Sequence, residues 1–106
     1  MDNEILKESI SVEELDQLLN KTSQPAFLID LMSREDFAET HIPGAVNIPV
    51  EELKDRVAEI PDGRNIIVAC KKGLMKSDIA LKQLRELGFR NAKKLEGGTI
   101  GWFTIK

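Results

Sequence analysis

The spacing of apolar residues alternates along the chain between the period of a helix and the continuous runs of buried strands. Strands are predicted at residues 26–31, 45–48, 66–69 and 92–95. The runs at 26–31 and 66–69 are apolar almost throughout, which is typical of parallel strands buried on both faces. Helices are predicted within residues 9–20, 50–58 and 77–87, with a brief one after Ser33. This alternation predicts an α/β fold with a central parallel sheet and helices on both faces.

Local signals mark where three of these helices begin or end. Ser11 and Glu14 have the spacing of a capping box, in which each side chain bonds the backbone N–H of the other. Ser33 and Asp36 form a second capping signal. Gly88 follows the last apolar position of the third helix and is placed to end it.

Length and charge restrict the class of protein. The 106 residues suffice for one core, so we expect a single domain over 1–106, alone or as a module of a longer chain. A net charge of −3 does not favour binding to nucleic acid or to an anionic membrane. No apolar run approaches the roughly 20 residues of a membrane span, and the acidic N-terminus does not resemble a signal peptide. We therefore expect a cytoplasmic protein.

Cys70 is the only cysteine, and it follows directly after the apolar run at 66–69. A single cysteine excludes an internal disulfide and a cysteine-based zinc site. The lone His41 also argues against a metal centre, so we expect no cofactor. A buried structural cysteine is the simplest alternative for such a residue.

The surroundings of Cys70 favour a functional role instead. Ligands of open parallel sheets bind at the carboxyl ends of the strands, where Cys70 is predicted to lie. A basic loop and a helix follow it, and a thiol at a helix N-terminus should ionise more easily than a free one. The lysines of this loop, Lys71, Lys72 and Lys76, reverse the sign of charge locally and indicate a small anionic ligand.

The order of motifs along the whole chain resembles the rhodanese-like domain, a small α/β sulfurtransferase module. The matching segments are Ile10-Ser11-Val12-Glu13-Glu14-Leu15, Leu28-Ile29-Asp30 with Asp36-Phe37, His41-Ile42-Pro43-Gly44-Ala45-Val46-Asn47-Ile48-Pro49, Ile67-Val68-Ala69-Cys70, Gly88-Phe89, and Leu95-Glu96-Gly97-Gly98 with Gly101-Trp102. The resemblance implies a rhodanese-like fold and catalysis through a Cys70 persulfide. The donor would be thiosulfate, polysulfide or a protein persulfide, and the acceptor a thiol.

The mechanism that the resemblance implies needs a cradle of N–H donors and a cation, and the residues of the loop after Cys70 are the candidates for binding substrate. They are Lys71, Lys72, Gly73, Leu74, Met75 and Lys76. Backbone amides of residues 71–76 would cradle the persulfide, with Gly73 easing the turn, and the three lysines would receive the anionic donor. Leu74 and Met75 would favour an apolar acceptor or dock a protein partner. The expected partners are a small anionic sulfur donor and a sulfur-carrier or cysteine-desulfurase protein.

Two departures from the family pattern leave other functions open. The usual loop is Cys-x-x-Gly-x-Arg, whereas this loop is one residue longer and has Lys76 in place of the arginine. Met32 replaces the arginine of the Asp-Val-Arg signature, and Arg34 lies two positions on. Both replacements favour a non-catalytic or regulatory module as one alternative.

The longer loop suggests a second alternative, because it resembles the Cys-x₅-Arg loop of cell-cycle phosphatases and arsenate reductases. Phosphoryl transfer is better served by an arginine fork and usually needs an acid to protonate the leaving group. The loop has no acid between Cys70 and Ser77, so sulfur transfer is preferred.

Five further residues are predicted to lie outside the site's chemistry, in structural or surface positions. Asp30 ends a buried strand and is expected to anchor a neighbouring backbone, and His41 is expected to be a half-buried structural residue. Trp102 is predicted in the core, and Lys93-Lys94 as a solvated surface pair.

Overall fold

A computed structural model describes residues 8–20, 25–72 and 75–106 of the chain. Five strands form one parallel sheet with the order β1-β5-β4-β2-β3. The strands are β1 (Ser9–Ile10), β2 (Phe27–Asp30), β3 (Val46–Asn47), β4 (Ile66–Ala69) and β5 (Ala92–Leu95). The α-helices are α1 (Val12–Asn20), α2 (Arg34–Glu39), α3 (Met75–Glu86) and α4 (Gly98–Ile105). Two 3-10 helices lie at Val50–Glu52 and Lys54–Glu59.

The sheet divides the core into two layers, and the side chains of its central strand, β4, alternate between them. Ile66 and Val68 face a layer that includes residues of α3, and Cys70 continues the same side. Ile67 and Ala69 face the opposite layer, which includes Val12, Leu15 and Trp102 from α1 and α4. Because successive side chains of a strand alternate between faces, a run that is apolar on both faces must be covered by helices on both sides. This arrangement confirms the predicted α/β fold and the core position of Trp102.

Both predicted N-caps are present. The Glu14 carboxylate accepts a hydrogen bond from the Ser11 backbone N–H at 2.8 Å, and the Ser11 hydroxyl accepts one from Glu14 N–H at 3.1 Å. The Ser33 hydroxyl accepts a 3.1 Å bond from Asp36 N–H at the start of α2. These caps satisfy N–H groups that the first turn of a helix cannot bond internally.

Three element predictions need correction. The helix predicted at 50–58 is a pair of 3-10 helices, and the second of them is kinked at Arg56, whose φ of −114° is not helical. Strand β1 was missed because two residues carry no readable period, although Ser9 and Ile10 pair with β5. Helix α3 begins at Met75, two residues before its predicted start.

No helix built from the described residues is both long enough and apolar enough to cross a membrane.

Candidate active site

Cys70 lies at the carboxyl end of the central strand and is 5% exposed. The hydroxyl of Ser77, a fully buried residue in the first turns of α3, donates a hydrogen bond to Cys70 Sγ over 3.2 Å. Helix α3 therefore begins beside the sulfur, and its N-terminal end carries a partial positive charge. Both a hydroxyl donor and a helix N-terminus stabilise a thiolate relative to a thiol.

The first turn of α4 holds the backbone on which the sulfur is mounted. Thr99 N–H donates to the Cys70 carbonyl at 2.9 Å, and Ile100 N–H donates to the Lys71 carbonyl at 3.0 Å. The first N–H groups of a helix have no partner within the helix, so they are free to make these bonds. Gly97, with φ of 78°, provides the left-handed turn that brings α4 into this position.

A cavity of about 280 Å³ opens above Cys70, and we call it the thiol cavity. It is lined by Met32, Asp36, Cys70, Lys71, Lys72, Met75 and Lys76. Five of the seven residues predicted from the sequence are thus brought together: Cys70, Lys71, Lys72, Met75 and Lys76. The other two, Gly73 and Leu74, lie outside the described residues. The predicted cradle of backbone amides includes them and stays a prediction.

Asp36 reaches the thiol cavity from α2, far along the chain from the loop. In the sequence, Asp36 is both a helix-capping partner of Ser33 and part of the Asp36-Phe37 segment that resembles the family, but nothing there predicts it in the site. The loop after Cys70 contains no acid, but the thiol cavity does have one, because α2 supplies Asp36. Nothing in the sequence gives the orientation of α2 relative to the loop.

Met32 also lines the thiol cavity, and its backbone is held on both sides. Its N–H donates to Asp30 Oδ1 at 2.9 Å, and its carbonyl accepts from Asn47 Nδ2 at 2.9 Å. Asp30 is buried, with 1% of its surface exposed, and its bond to Met32 N–H anchors a neighbouring backbone, as predicted. Burial raises the pKa of Asp30, while the hydrogen bond from Met32 and the charges of His41 and Lys76 oppose that rise.

Arg34 does not replace the arginine that Met32 displaces. Its guanidinium binds the Glu52 carboxylate through two hydrogen bonds of 2.6 and 2.7 Å, and it does not line the thiol cavity. The cations contributed by the described residues that line this cavity are all lysines. A lysine ammonium supplies charge with little directional preference, unlike the planar fork of arginine.

Of the remaining predictions for single residues, the one for His41 agrees with the structure and the one for the Lys93-Lys94 pair does not. The His41 ring stacks on Phe37 with centroids 3.9 Å apart, and its Nδ1–H donates to the Phe37 carbonyl at 2.7 Å. This agrees with a half-buried structural histidine. The prediction of a solvated pair at Lys93-Lys94 is wrong, because both are half-buried and Lys94 forms an ion pair with Asp78 of α3.

A larger cavity, about 710 Å³, lies on the outer side of α3 between Glu8 and Lys94. Arg85 and Glu8 approach to 3.8 Å there, and Lys94 is paired with Asp78. No cysteine, serine or histidine is among the described residues that line it, so size alone does not identify the reactive site.

Comparisons with known families, proteins and structures point to the same family. The family model for the rhodanese-like domain matches residues 11–104. A sulfurtransferase from Allochromatium vinosum is 30% identical over 102 residues, covering 96% of this chain and 89% of that protein. A thiosulfate sulfurtransferase from Pseudomonas aeruginosa superposes with a TM-score of 0.82 and 31% identity, covering 96% of this chain and 20% of that chain.

A third relative has a different kind of name. The HTH-type transcriptional regulator Rv0324 of Mycobacterium tuberculosis is 39% identical over 77 residues, which cover 71% of this chain. This chain spans 33% of the length of that regulator. Names that specify sulfur transfer, persulfide or a sulfur carrier recur among other relatives, which supports a sulfur-related partner in general terms.

Proposed function

Because the chain belongs to the rhodanese-like domain family, a family with named sulfurtransferases, we propose that it moves a sulfane sulfur to a thiol through Cys70. The Cys70 thiolate attacks the outer sulfur of thiosulfate, polysulfide or a protein persulfide. The donor's S–S bond breaks, and sulfite, a shortened sulfur chain or the thiolate of the donor protein leaves with the electron pair. An acceptor thiolate then attacks the outer sulfur of the protonated persulfide, and the electron pair of the broken bond returns to Cys70.

The observation that carries this proposal is the 3.2 Å contact between Ser77 Oγ and Cys70 Sγ at the start of α3. A nucleophilic thiol must be ionised, and a buried apolar environment alone would oppose ionisation. The Ser77 hydroxyl and the N-terminal end of α3 both oppose that effect of burial. A structural cysteine would need neither of them.

The charge around Cys70 supports an anionic donor. Lys71, Lys72 and Lys76 all line the thiol cavity, against one carboxylate from Asp36. Lys76 stands in the first turn of α3, where the helix dipole disfavours a cation. A residue that contradicts the local electrostatics of its helix is expected where function requires it.

The rim of the thiol cavity favours contact with an apolar surface of an acceptor or of a partner protein in the second step. Met75 lines the cavity, yet 73% of its surface is exposed. An exposed methionine at the entrance of a site gives an adaptable apolar contact for a partner.

Intact mass spectrometry tests the first step. After incubation with polysulfide or thiosulfate and removal of excess donor, we expect a gain of one sulfur atom on the wild type. We expect no gain on Cys70→Ser, because Cys70 is the only thiol. In a thiosulfate:cyanide assay or with polysulfide as donor, the same variant should be inactive. Sulfur transfer retained by Cys70→Ser would refute the mechanism.

The transcriptional regulator among the relatives favours a second candidate, a module that reports sulfur status to attached domains. The replacement of both family arginines by Met32 and Lys76 agrees with weak turnover. This candidate expects Cys70 to take up sulfur but to pass it on slowly to every thiol acceptor tested.

Phosphatase or arsenate reductase activity remains the third candidate, and Asp36 supplies the acid that the loop lacks. The described cations of the cavity are still point charges, whereas three equatorial phosphoryl oxygens are held best by an arginine fork. Hydrolysis of an aryl phosphate that is absent from Cys70→Ser would favour this candidate.

A further inference from the structure

A second cavity of about 200 Å³ adjoins the thiol cavity. It is lined by Met32, Asp36, Glu39, Thr40, Lys71, Thr99 and Ile100, and we call it the α2–α4 cavity. Met32, Asp36 and Lys71 line both cavities, so the two are neighbouring parts of one trough. Its volume is below the roughly 300 Å³ at which pockets begin to hold drug-sized ligands, so its occupant is small.

The sign of charge reverses along this trough. Among the described lining residues, three lysines oppose one carboxylate in the thiol cavity, whereas two carboxylates, Asp36 and Glu39, oppose one lysine in the α2–α4 cavity. Neither of these carboxylates forms a hydrogen bond or ion pair through its side chain with any described residue. Other acids in the described part of the chain do so, as Glu52 does with Arg34.

Thr99 gives a second and independent indication of a ligand. It lines the α2–α4 cavity and is only 3% exposed, and its Oγ1 has no hydrogen-bond partner among the described residues. A buried hydroxyl without a partner is unfavourable, because it has lost its hydrogen bonds to water and made no others in their place. Such groups in native proteins call for an explanation, and a bound polar group is one.

We propose that the α2–α4 cavity is the acceptor subsite and that it selects small thiols carrying an ammonium group, such as cysteamine or cysteine. The inference rests on the proposed function, since it names the acceptor of the second step. The ammonium would lie between Asp36 and Glu39 and donate to Thr99 Oγ1, which can accept through its lone pairs. The thiolate end of the same molecule would lie towards Cys70 and attack the persulfide's outer sulfur.

A disulfide-exchange experiment tests the subsite without requiring sulfur transfer. The Cys70 thiolate attacks one sulfur of cystamine, the disulfide of cysteamine, forming a mixed disulfide and releasing one cysteamine thiolate. 2-Hydroxyethyl disulfide has the same length but no ammonium group. Intact mass gives both rates, and their ratio removes differences in the intrinsic reactivity of Cys70.

We expect Glu39→Gln to lower the cystamine to 2-hydroxyethyl disulfide rate ratio about twofold to fivefold, as for one partly exposed charge pair. Thr99→Val keeps the shape and the backbone N–H that bonds Cys70, and should lower the ratio about tenfold. Glu35→Gln is the matched control, because Glu35 is exposed on the same helix and lines neither cavity. It should keep the wild-type ratio.

A ratio that is equal in wild type, Glu39→Gln and Thr99→Val overturns the subsite, and so does an equal decrease in Glu35→Gln. The same ratio measured for transfer from a loaded persulfide to cysteamine or 2-mercaptoethanol gives a second readout. Wild-type protein that takes up no sulfur but shows the expected exchange ratios would refute the proposed function and support the subsite. Sulfur uptake together with the same rate ratio in wild type, Glu39→Gln and Thr99→Val would support the proposed function and refute the subsite.

Discussion

Ser77→Ala tests the contact on which the proposed mechanism depends. The hydroxyl of Ser77 donates to Cys70 Sγ at 3.2 Å, and both residues are buried. The substitution removes one oxygen, so we expect the fold to be retained. The thiolate of Cys70 then loses a donor that water cannot readily replace.

The magnitude follows from the strength of a hydrogen bond to a charged group, about 1.5–3 kcal/mol. Each 1.36 kcal/mol shifts an ionisation midpoint by one pH unit, so removal should raise the midpoint for alkylation by about one to two units. At neutral pH the alkylation rate should fall about threefold to tenfold, because fewer Cys70 thiols are ionised while each thiolate is more nucleophilic. The limiting rate at high pH should not fall, because a more basic thiolate is intrinsically more nucleophilic.

Iodoacetamide alkylation followed across pH measures this midpoint, and Cys70 is the only thiol that can react. For the wild type we expect a midpoint below the reference of about 8.5. Ser9→Ala is the matched control, since its hydroxyl bonds the exposed carboxylate of Glu96 at 3.0 Å, away from the thiol cavity. An unchanged midpoint in Ser77→Ala would refute the assigned role of Ser77. A wild-type midpoint at or above the reference would mean that burial dominates.

Substitutions at two further positions, Lys76 and Asp30, probe charge in and beneath the site. Lys76→Ala should raise KM for thiosulfate more than it lowers kcat, because a point charge mainly aids capture of the anion, and Lys76→Arg should change kcat by at most about tenfold. A strong gain of aryl phosphate hydrolysis in Lys76→Arg would instead favour the phosphatase candidate. Asp30→Asn tests the buried carboxyl, whose pKa is raised by burial. The folded state then binds this proton more tightly than the unfolded state, so the Asp30 contribution to stability falls as pH rises through the folded pKa. The stability difference, Asn variant minus wild type, should therefore increase from about pH 4 to 7 in denaturant unfolding, and a difference independent of pH would contradict the assignment.

The sequence predicts best those elements whose pattern has one physical explanation. The run Ile66–Ala69 is short, apolar at every position and mostly β-branched, which is typical of a strand covered on both faces. The capping box of Ser11 and Glu14 is similarly local, because both partners lie within one turn of the helix they begin. Because the run Ile66–Ala69 is predicted as a strand, the position of Cys70 at its carboxyl end is predicted with it.

Elements whose type depends on distant contacts were less predictable. Val50, Leu53 and Val57 have helical spacing, and they do face the core. Their backbone nevertheless forms 3-10 turns, and the Arg56 guanidinium there bonds the Asn47 carbonyl at 3.3 Å as well as Glu52 and Glu59. Periodicity identifies the buried face of a segment but does not resolve 3.0 from 3.6 residues per turn over so few positions.

The candidate site was predictable where one segment supplies it and not where several meet. Lys71, Lys72, Met75 and Lys76 follow Cys70 along the chain, so their convergence needed no knowledge of the tertiary fold. Asp36 comes from another part of the chain, and α2 brings it to the cavity. Ser77 was visible in the loop motif, but its bond to Cys70 depends on where α3 begins.

The replacement of both family arginines acts on the two steps of the proposed reaction in different ways. Lys76 keeps the positive charge needed to capture an anionic donor but gives up the fixed geometry of a guanidinium. Met32 removes a charge altogether at a point shared by the thiol cavity and the α2–α4 cavity. A cation there would oppose binding of an ammonium beside Asp36 and Glu39. The same substitution that weakens the resemblance to thiosulfate-type sites therefore permits the acidic character of the proposed acceptor subsite.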